Sequence, residues 1–378
     1  MSHPGIRLSA LQTALQRLKH DHLLQALLLL TLVLAIHDPR SPRAYLDWLD
    51  VPTLAGLTGL LVLTQGVRIS GAIQRWALQL VTRLHSVRAL GIALVLLSAV
   101  LASVLTNDVA LFLIVPLTLA VDRIAKIPRQ RLVIFEALAV NAGSTFSPIG
   151  NPQNLLLWQN SGLAFPEYVA ALAPAGAILL GLLLVMCVFA FPATRLQLDE
   201  HAMAPPPLHA PLAIGATVLR AGMVTALEWG VAWQAALIVL ATGLIFFRRA
   251  LIGVDWMLLV TFAAMFVGLG HLAAVPAVSA HLHALDWRDP RVLYGGGIVL
   301  SQCISNVPAA VLLKNYTHAI TLLAIAVNVG ASGCMIGSLA NLIALRLDGS
   351  RGIAWRFHAW SVPFLLASAV LIGLWVAR

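Results

Sequence analysis

Asp108 is the residue best placed to do chemistry. It lies in LTNDVALFLIVP (105–116), beside Thr106 and Asn107, with no Lys or Arg between Arg88 and Arg123. A carboxylate at mid-bilayer depth costs at least about 2.5–3.5 kcal/mol and marks an ion or proton pathway. Burial favours its protonated form and a bound cation its charged form, so the position suits a carrier of H+ or Na+. A second role is compatible with the first: capping the helix that follows, through the backbone N–H groups of residues 110–111.

Two further polar phrases sit in apolar surroundings. NAGSTFSPIGNPQNL (141–155) returns 187 residues later as NVGASGCMIGSLANL (328–342), with six of fifteen positions identical: Asn141/Asn328, Gly143/Gly330, Ile149/Ile336, Gly150/Gly337, Asn154/Asn341 and Leu155/Leu342. The Thr106-Asn107-Asp108 interruption likewise has a counterpart in Ser305-Asn306-Val307, followed by Pro308. Non-helical backbone leaves N–H and C=O groups unpaired, and hydrocarbon tolerates that only inside protein or beside a polar cavity. Half-helix N-termini attract anions and half-helix C-termini attract cations. Helix packing or simple kinking accounts for a single such break. It does not require the same Asn–Gly–Gly–Asn order twice, and paired breaks in two halves mark a transporter's binding site near the midplane.

Other polar residues carry less. Glu136 lies one turn past Arg131 and is expected to reach the membrane surface; Lys314, Arg220 and Glu228 are expected to snorkel. Cys187, Cys303 and Cys334 are isolated in apolar segments, which excludes a disulfide framework and reads as inert packing. Neither H-E-x-x-H nor G-x-S-x-G occurs, so an intramembrane enzyme is not expected.

The elements that must position these residues follow from composition. The chain is 60% hydrophobic and 10% charged, with a mean hydropathy of +0.90; soluble domains carry about 25% charged residues. At about 20 residues per span, 378 residues allow roughly ten to twelve membrane-embedded segments. The net charge of +9 is distributed by side of membrane and not clustered into a face, so no nucleic-acid partner is expected. The basic N-terminus precedes a retained first span at about 23–36, without a cleavage site.

Counting Lys and Arg by loop, sixteen fall on the side of the N-terminus, five on the other, and Arg68, Arg220 and Lys314 stay unassigned. The larger group is cytoplasmic. Segment 88–121 is flanked by basic loops at both ends, so it enters and leaves on one side as a re-entrant hairpin, with arms of about fifteen residues. The expected fold is an all-α polytopic membrane protein of two inverted repeats, each with a re-entrant hairpin and a broken transmembrane helix. A cytoplasmic segment 1–22 precedes the first repeat, 23–194 (hairpin 88–121, broken helix 132–158). A linker at 195–210, with Pro205-Pro206-Pro207, leads to the second repeat, 211–378 (hairpin 292–318, broken helix 319–345).

The phrases LTNDVALFLIVP, GSTFSPIGNPQN (143–154), SNVPAAVLL (305–313) and GASGCMIGSLANL (330–342) resemble the ion transporter superfamily. The similarity is to the branch of arsenite permeases, related sodium–proton antiporters and anion permeases. The resemblance implies a homodimer in the inner (plasma) membrane, each chain with a scaffold and a mobile transport domain. Related dicarboxylate carriers bear Ser-Asn-Thr at both hairpin tips. The acidic first tip here sets this chain apart from sodium-coupled dicarboxylate uptake of that type.

The function expected is secondary transport of a small anion or oxyacid (arsenite-like, inorganic anion or carboxylate) coupled to H+ or Na+; the alternative is a sodium–proton antiporter without an anion substrate. The expected solute-binding residues are Thr106, Asn107, Asn141, Gly143, Ser144, Thr145, Gly150, Asn151 and Asn154 of the first half, and Ser305, Asn306, Gly330, Ser332, Gly337 and Asn341 of the second. Asp108 is the ion-coupling residue, Na+ would be held by Asn107, Asp108 and Asn306, and no other cofactor is expected.

Overall fold

In the computed structural model, residues 22–125, 127–196 and 207–377 are described. The N-terminal segment 1–21, Lys126 and most of the expected linker (197–206) lie outside them. Among the described residues the regular structure is helical, and the one isolated β-bridge pairs Ser86 with Arg195. Five helices are long and apolar enough to cross a membrane: α5 (Val87–Val104), α9 (Phe165–Ala190), α10 (Ala210–Glu228), α13 (Trp256–Ala274) and α19 (Ile353–Val376). The bent pair α3 (Val51–Ile69) and α4 (Ala72–Thr82) is together long and apolar enough to be a sixth, its axes meeting at 54° where Gly71 takes φ 75°. A left-handed residue here is cheap only for glycine.

Breaks between helices fall at the two interruptions and within the two repeated phrases. Hairpin 1 is α5 and α6 (Asn107–Ala125); the first broken helix is α7 (Arg129–Ser144) and α8 (Pro152–Gln159). Hairpin 2 is α15 (Pro290–Ile304) and α16 (Asn306–Leu313); the second broken helix is α17 (Ile320–Gly330), a 3-10 turn at Met335–Gly337, and α18 (Leu339–Asp348). The arms correct one expectation. α5 and α6 run 18 and 19 residues, not about fifteen, because the Ser86 side chain caps α5 (Ala89 N to Oγ, 3.1 Å) and α6 continues through Pro116. Hairpin 2 is shorter, at 15 and 8 residues.

Contacts at the helix ends order these elements. At one end, Arg88 Nε donates to Phe191 O (3.0 Å) and Arg131 donates to Ala190 O, so both cations sit at the carbonyl end of α9. Arg129 pairs with Asp348 (2.9 Å) at the same end, and Gln130 Nε2 donates to Ser350 Oγ (2.5 Å). The opposite end holds Asp50 and Lys314, 2.9 Å apart, with Asn160 Nδ2 donating to Asp50 (3.1 Å). Burial pulls the Asp50 carboxyl upward, but Lys314 and the neighbouring hydrogen bonds outweigh it and hold the group below the ordinary carboxylate range. The open end of hairpin 1 therefore lies at the first end, and Lys314, which follows the last residue of α16, meets the second.

Large apolar side chains of α1 (His22–His37), α10, α11 (Ala232–Phe246) and α19 are exposed, Phe246 at 76% and Ile36 at 69% among them. Such a surface is at home in lipid. By contrast, α7 and α17 are buried on nearly every side, as the central elements of a bundle must be when their neighbours, not lipid, satisfy their broken backbone.

Candidate functional site

The two broken helices are drawn together by asparagine amides. In the first broken helix, Asn154 Nδ2 reaches back over the gap to Ser144 O (3.0 Å) and Ser147 O (3.2 Å). In the second, Asn341 Nδ2 does the same to Ala331 O (2.9 Å) and Cys334 O (3.3 Å), each partner again 187 residues on. The side chains thus replace the helical partners that the uncoiled carbonyls lack. Each half-helix that follows is capped by the residue at its entrance: Asn154 N donates to Asn151 Oδ1 (2.8 Å), and Ala340 N to Ser338 Oγ (3.3 Å).

The two halves then clasp reciprocally. Asn141 Nδ2 donates to Asn341 Oδ1 (2.8 Å), and Asn328 Nδ2 donates to Asn154 Oδ1 (2.6 Å). Ser338 Oγ donates to Asn141 Oδ1 (3.1 Å), and Asn151 Nδ2 donates to Asn328 Oδ1 (2.9 Å). These four bonds form two matched pairs, each partner again 187 residues from its counterpart. All these asparagines are at most 2% exposed, so each amide removed would orphan a buried partner.

The hairpin tips close on the breaks. Asn107 N donates to Gly150 O (2.9 Å), and Gln302 of α15 bridges Gly330 O (2.6 Å) and Cys334 N (2.6 Å). Glycine is required at these approaches. A Cβ on Gly143 would overlap the backbone of Ala99, and one on Gly150 would come within 2.7 Å of Ser144 O. Backbone cannot yield as a side chain can, so Gly143→Ala is expected to lower stability by about 3 kcal/mol, the upper part of the overpacking range. Gly181 has nothing within 4 Å of its Cβ position and is the control. Melting of the two detergent-purified variants side by side checks this, and equal melting temperatures would refute the close approach.

What remains available differs from the clasp. Asn107 Oδ1 accepts from Asp108 N (3.0 Å), and Asn306 Oδ1 accepts from Val307 N (2.9 Å). The Nδ2 groups of both tip asparagines make no hydrogen bond among the described residues, and both residues are nearly buried (4% and 1% exposed). Ser332 Oγ is also buried without a partner. Ser305 at the second tip has φ 77°, the one non-glycine residue at positive φ among those described. Such strain gathers where a structure is organised around a function.

Asp108 is half-buried at the start of α6. The capping role considered for it falls to its neighbours: Asn107 caps Asp108 N, and Thr106 Oγ1 accepts from Val109 N (3.4 Å). Its carboxylate is left without a hydrogen bond or ion pair among the described residues, and Asp255, at the start of α13, acts on it through space.

Two other expectations are corrected. Glu136 does not reach the surface: it is fully buried, because α7 is enclosed, and accepts a hydrogen bond from Thr118. Arg220 does not snorkel: it is 5% exposed and donates to Leu60 O, to Thr64 Oγ1 and to Leu105 O (2.6 Å) at the first tip. Lys314 pairs with Asp50, and Glu228 is exposed at the end of α10.

The geometry also brings in residues outside the expected set. Asn328 makes as many bonds between the halves as Asn141, and its signal was its place at the head of the repeated phrase. Ser338 shared that signal, as the counterpart of Asn151 in the second phrase, whereas Gln302 and Arg220 lie outside both phrases and carried none. No group of three or more His, Cys, Asp or Glu that could hold a metal ion occurs among the described residues. A cavity of 1020 Å³ opens elsewhere, between α10 and α11, beside Leu212, Val218 and Ile245.

The sequence profile of a citrate transporter family, CitMHS, matches residues 21–319. The inner membrane protein YbiR of Escherichia coli is 42% identical over 359 residues, covering 94% of this chain and 96% of its own length. An uncharacterized transporter of Methanocaldococcus jannaschii is 29% identical over 87% of this chain and 89% of its own. The silicon efflux transporter LSI3 of Oryza sativa is 26% identical over 166 residues, 43% of this chain and 34% of its own.

Proposed function

From a chain that belongs to the citrate transporter family, we propose secondary active transport of a small anion or oxyacid, driven by H+ or Na+ through alternating access. It is a multi-pass membrane transporter; its solute, coupling ion and orientation are our reading. The observation that carries this reading is the reciprocal clasp of the two broken helices. It supports two inverted repeats, and with it a binding site between them. The basic flanks gathered around Arg88, Arg129 and Arg131 support a cytoplasmic position for that end and for the N-terminus.

The solute cradle in this reading is built from what the clasp leaves free. Asn107 and Asn306 offer Nδ2 donors from opposite tips, and Ser332 offers a buried hydroxyl. Thr106, Ser305 and the backbone around Gly143–Gly150 and Gly330–Gly337 line the same place. Asn141, Ser144, Thr145, Asn151, Asn154 and Asn341 shape the cradle through the bonds they make to each other and to the chain, not as free donors. Asp108 carries the coupling ion, and Na+, where it is that ion, would add Asn107 and Asn306. Hairpins and broken helices would move together against a scaffold of α3, α10 and α11, in a homodimer.

The citrate transporter family and the silicon efflux relative suggest probes of both solute classes: citrate, which is charged, and silicic acid, which is not at neutral pH. Purified protein in liposomes, loaded with each under an imposed pH or sodium gradient, is expected to accumulate one of them. The proximity of Asp255 to Asp108 favours a second reading, exchange of Na+ for H+ alone. Proton flux driven by a sodium gradient with no solute present would decide for that reading.

A further inference from the structure

Arg220 has no part in the clasp, yet its side chain ends at the first hairpin tip. The route is set by packing. Gly56, Gly59 and Gly66 of α3 face α10; a Cβ on Gly59 would lie 2.7 Å from Met223 Sδ and one on Gly56 2.7 Å from Leu227 Cδ2. This close approach buries Ala216, Arg220, Met223 and Leu227, one stripe of α10 at helical spacing, while Ile214 and Val218 face outward at 66% and 65% exposure. In a stripe otherwise apolar, Arg220 passes α3 between Leu60 and Thr64 and delivers its guanidinium to Leu105 O. Leu105 caps α5 and precedes Thr106 and Asn107.

The partners Arg220 has are all dipoles: two carbonyls and one hydroxyl. No carboxylate pairs with it among the described residues, and its Nε–H is buried without an acceptor. A guanidinium so enclosed stays charged, and an intramembrane charge that pairs with another charge or, as here, with backbone carbonyls marks a solute or ion pathway. Capping the carbonyl end of α5 needs only one donor and explains neither the full charge nor the orphaned Nε–H.

We propose that Arg220 is the recognition residue for the negative charge of the solute, meeting a carboxylate or phosphate-like group beside the first hairpin tip; this rests on the transporter reading above. The guanidinium fork presents paired donors that match the oxygens of such a group, which an ammonium does not. The solute class that fits is therefore an anion, and not a neutral oxyacid.

The test compares wild type, Arg220→Gln and Arg220→Lys in liposomes at fixed membrane potential, with initial rates measured against concentrations of citrate, succinate and phosphate. With Arg220→Gln the KM for the transported anion is expected to rise about tenfold or more, as loss of one charge-assisted contact implies, with kcat changed much less. Arg220→Lys should fall between. A purely structural role would instead lower kcat and the amount of folded protein and leave KM alone. Should the Gln variant fail to fold, Arg220→Lys alone reads the same split, since it keeps the charge and loses the fork. An anion carried by wild type with KM unchanged in the variants overturns the role of Arg220 and leaves the transporter reading intact. Sodium–proton exchange by wild type with no flux of any of the three anions overturns both.

Discussion

Asp108→Asn is expected to abolish gradient-driven accumulation while leaving the protein folded and solute exchange across the membrane intact. The carboxylate makes no hydrogen bond or ion pair among the described residues, and the capping of α6 belongs to Thr106 and Asn107. The amide has nearly the same shape, so nothing that holds the hairpin is lost. Removing a carboxylate from membrane depth also relieves a cost of about 2.5–3.5 kcal/mol, so the melting temperature should hold or rise. What is lost is the ionisable group that moves with the solute. One coupled proton sustains about tenfold accumulation per pH unit, or about 1.4 kcal/mol, and the variant should accumulate none. Labelled-solute uptake under an imposed pH gradient, with counterflow as the control, measures both properties. Undiminished accumulation would remove Asp108 from the mechanism.

Asn328→Ala should have the largest effect on stability. Its Nδ2 serves Asn154 Oδ1 and Ala324 O, and its Oδ1 receives Asn151 Nδ2 (2.9 Å) and, at 3.5 Å, Gln153 Nε2. Asn151 retains a bond to Ser144 Oγ, but Asn154 Oδ1 loses its partner in a buried place. At about 1–3 kcal/mol for each buried group left unsatisfied, the loss should reach about 2–5 kcal/mol. The double variant Asn154→Ala, Asn328→Ala should lose less than the sum of the two singles, because each has already broken their shared bond. Thermal melting in detergent reads both expectations. A single variant melting with wild type would mean that the clasp does not hold the halves together.

Much of the fold was legible because a bilayer makes hydropathy and backbone breaks explicit. The apolar stretch read at about 23–36 is the helix His22–His37, and the breaks read at 106–108 and 305–307 separate Val87–Val104 from Asn107–Ala125 and Pro290–Ile304 from Asn306–Leu313. In lipid, an apolar stretch of this length has few alternatives to a helix, and a polar phrase inside it must mark non-helical backbone held by protein. Helix ends were less visible. The Ser86 cap and the run of α6 past Pro116 lengthened hairpin 1, since a surface turn can join a helix without changing its apolar pattern. Within the candidate site, the repeated phrases were legible as breaks, whereas the division of labour among their asparagines was not. Asn141 and Asn107 are alike in the sequence, yet one amide is consumed 200 residues away and the other donates to nothing described.

By itself, then, the sequence determined which stretches are apolar enough to lie in a membrane, where the helices break, and that the polar phrases at the breaks come in matched pairs. Each of these follows from local composition meeting a solvent that supplies no hydrogen bonds. Only the tertiary structure decided which polar groups satisfy one another and which stay available: it paired Asn141 with Asn341 and Asn154 with Asn328, enclosed Glu136, and carried Arg220 past α3 to the first hairpin tip. The reason is geometric. Hydrogen-bond partners are fixed by distances of a few ångströms between segments far apart in the chain, and one helix's own pattern holds no record of the neighbour that will face it.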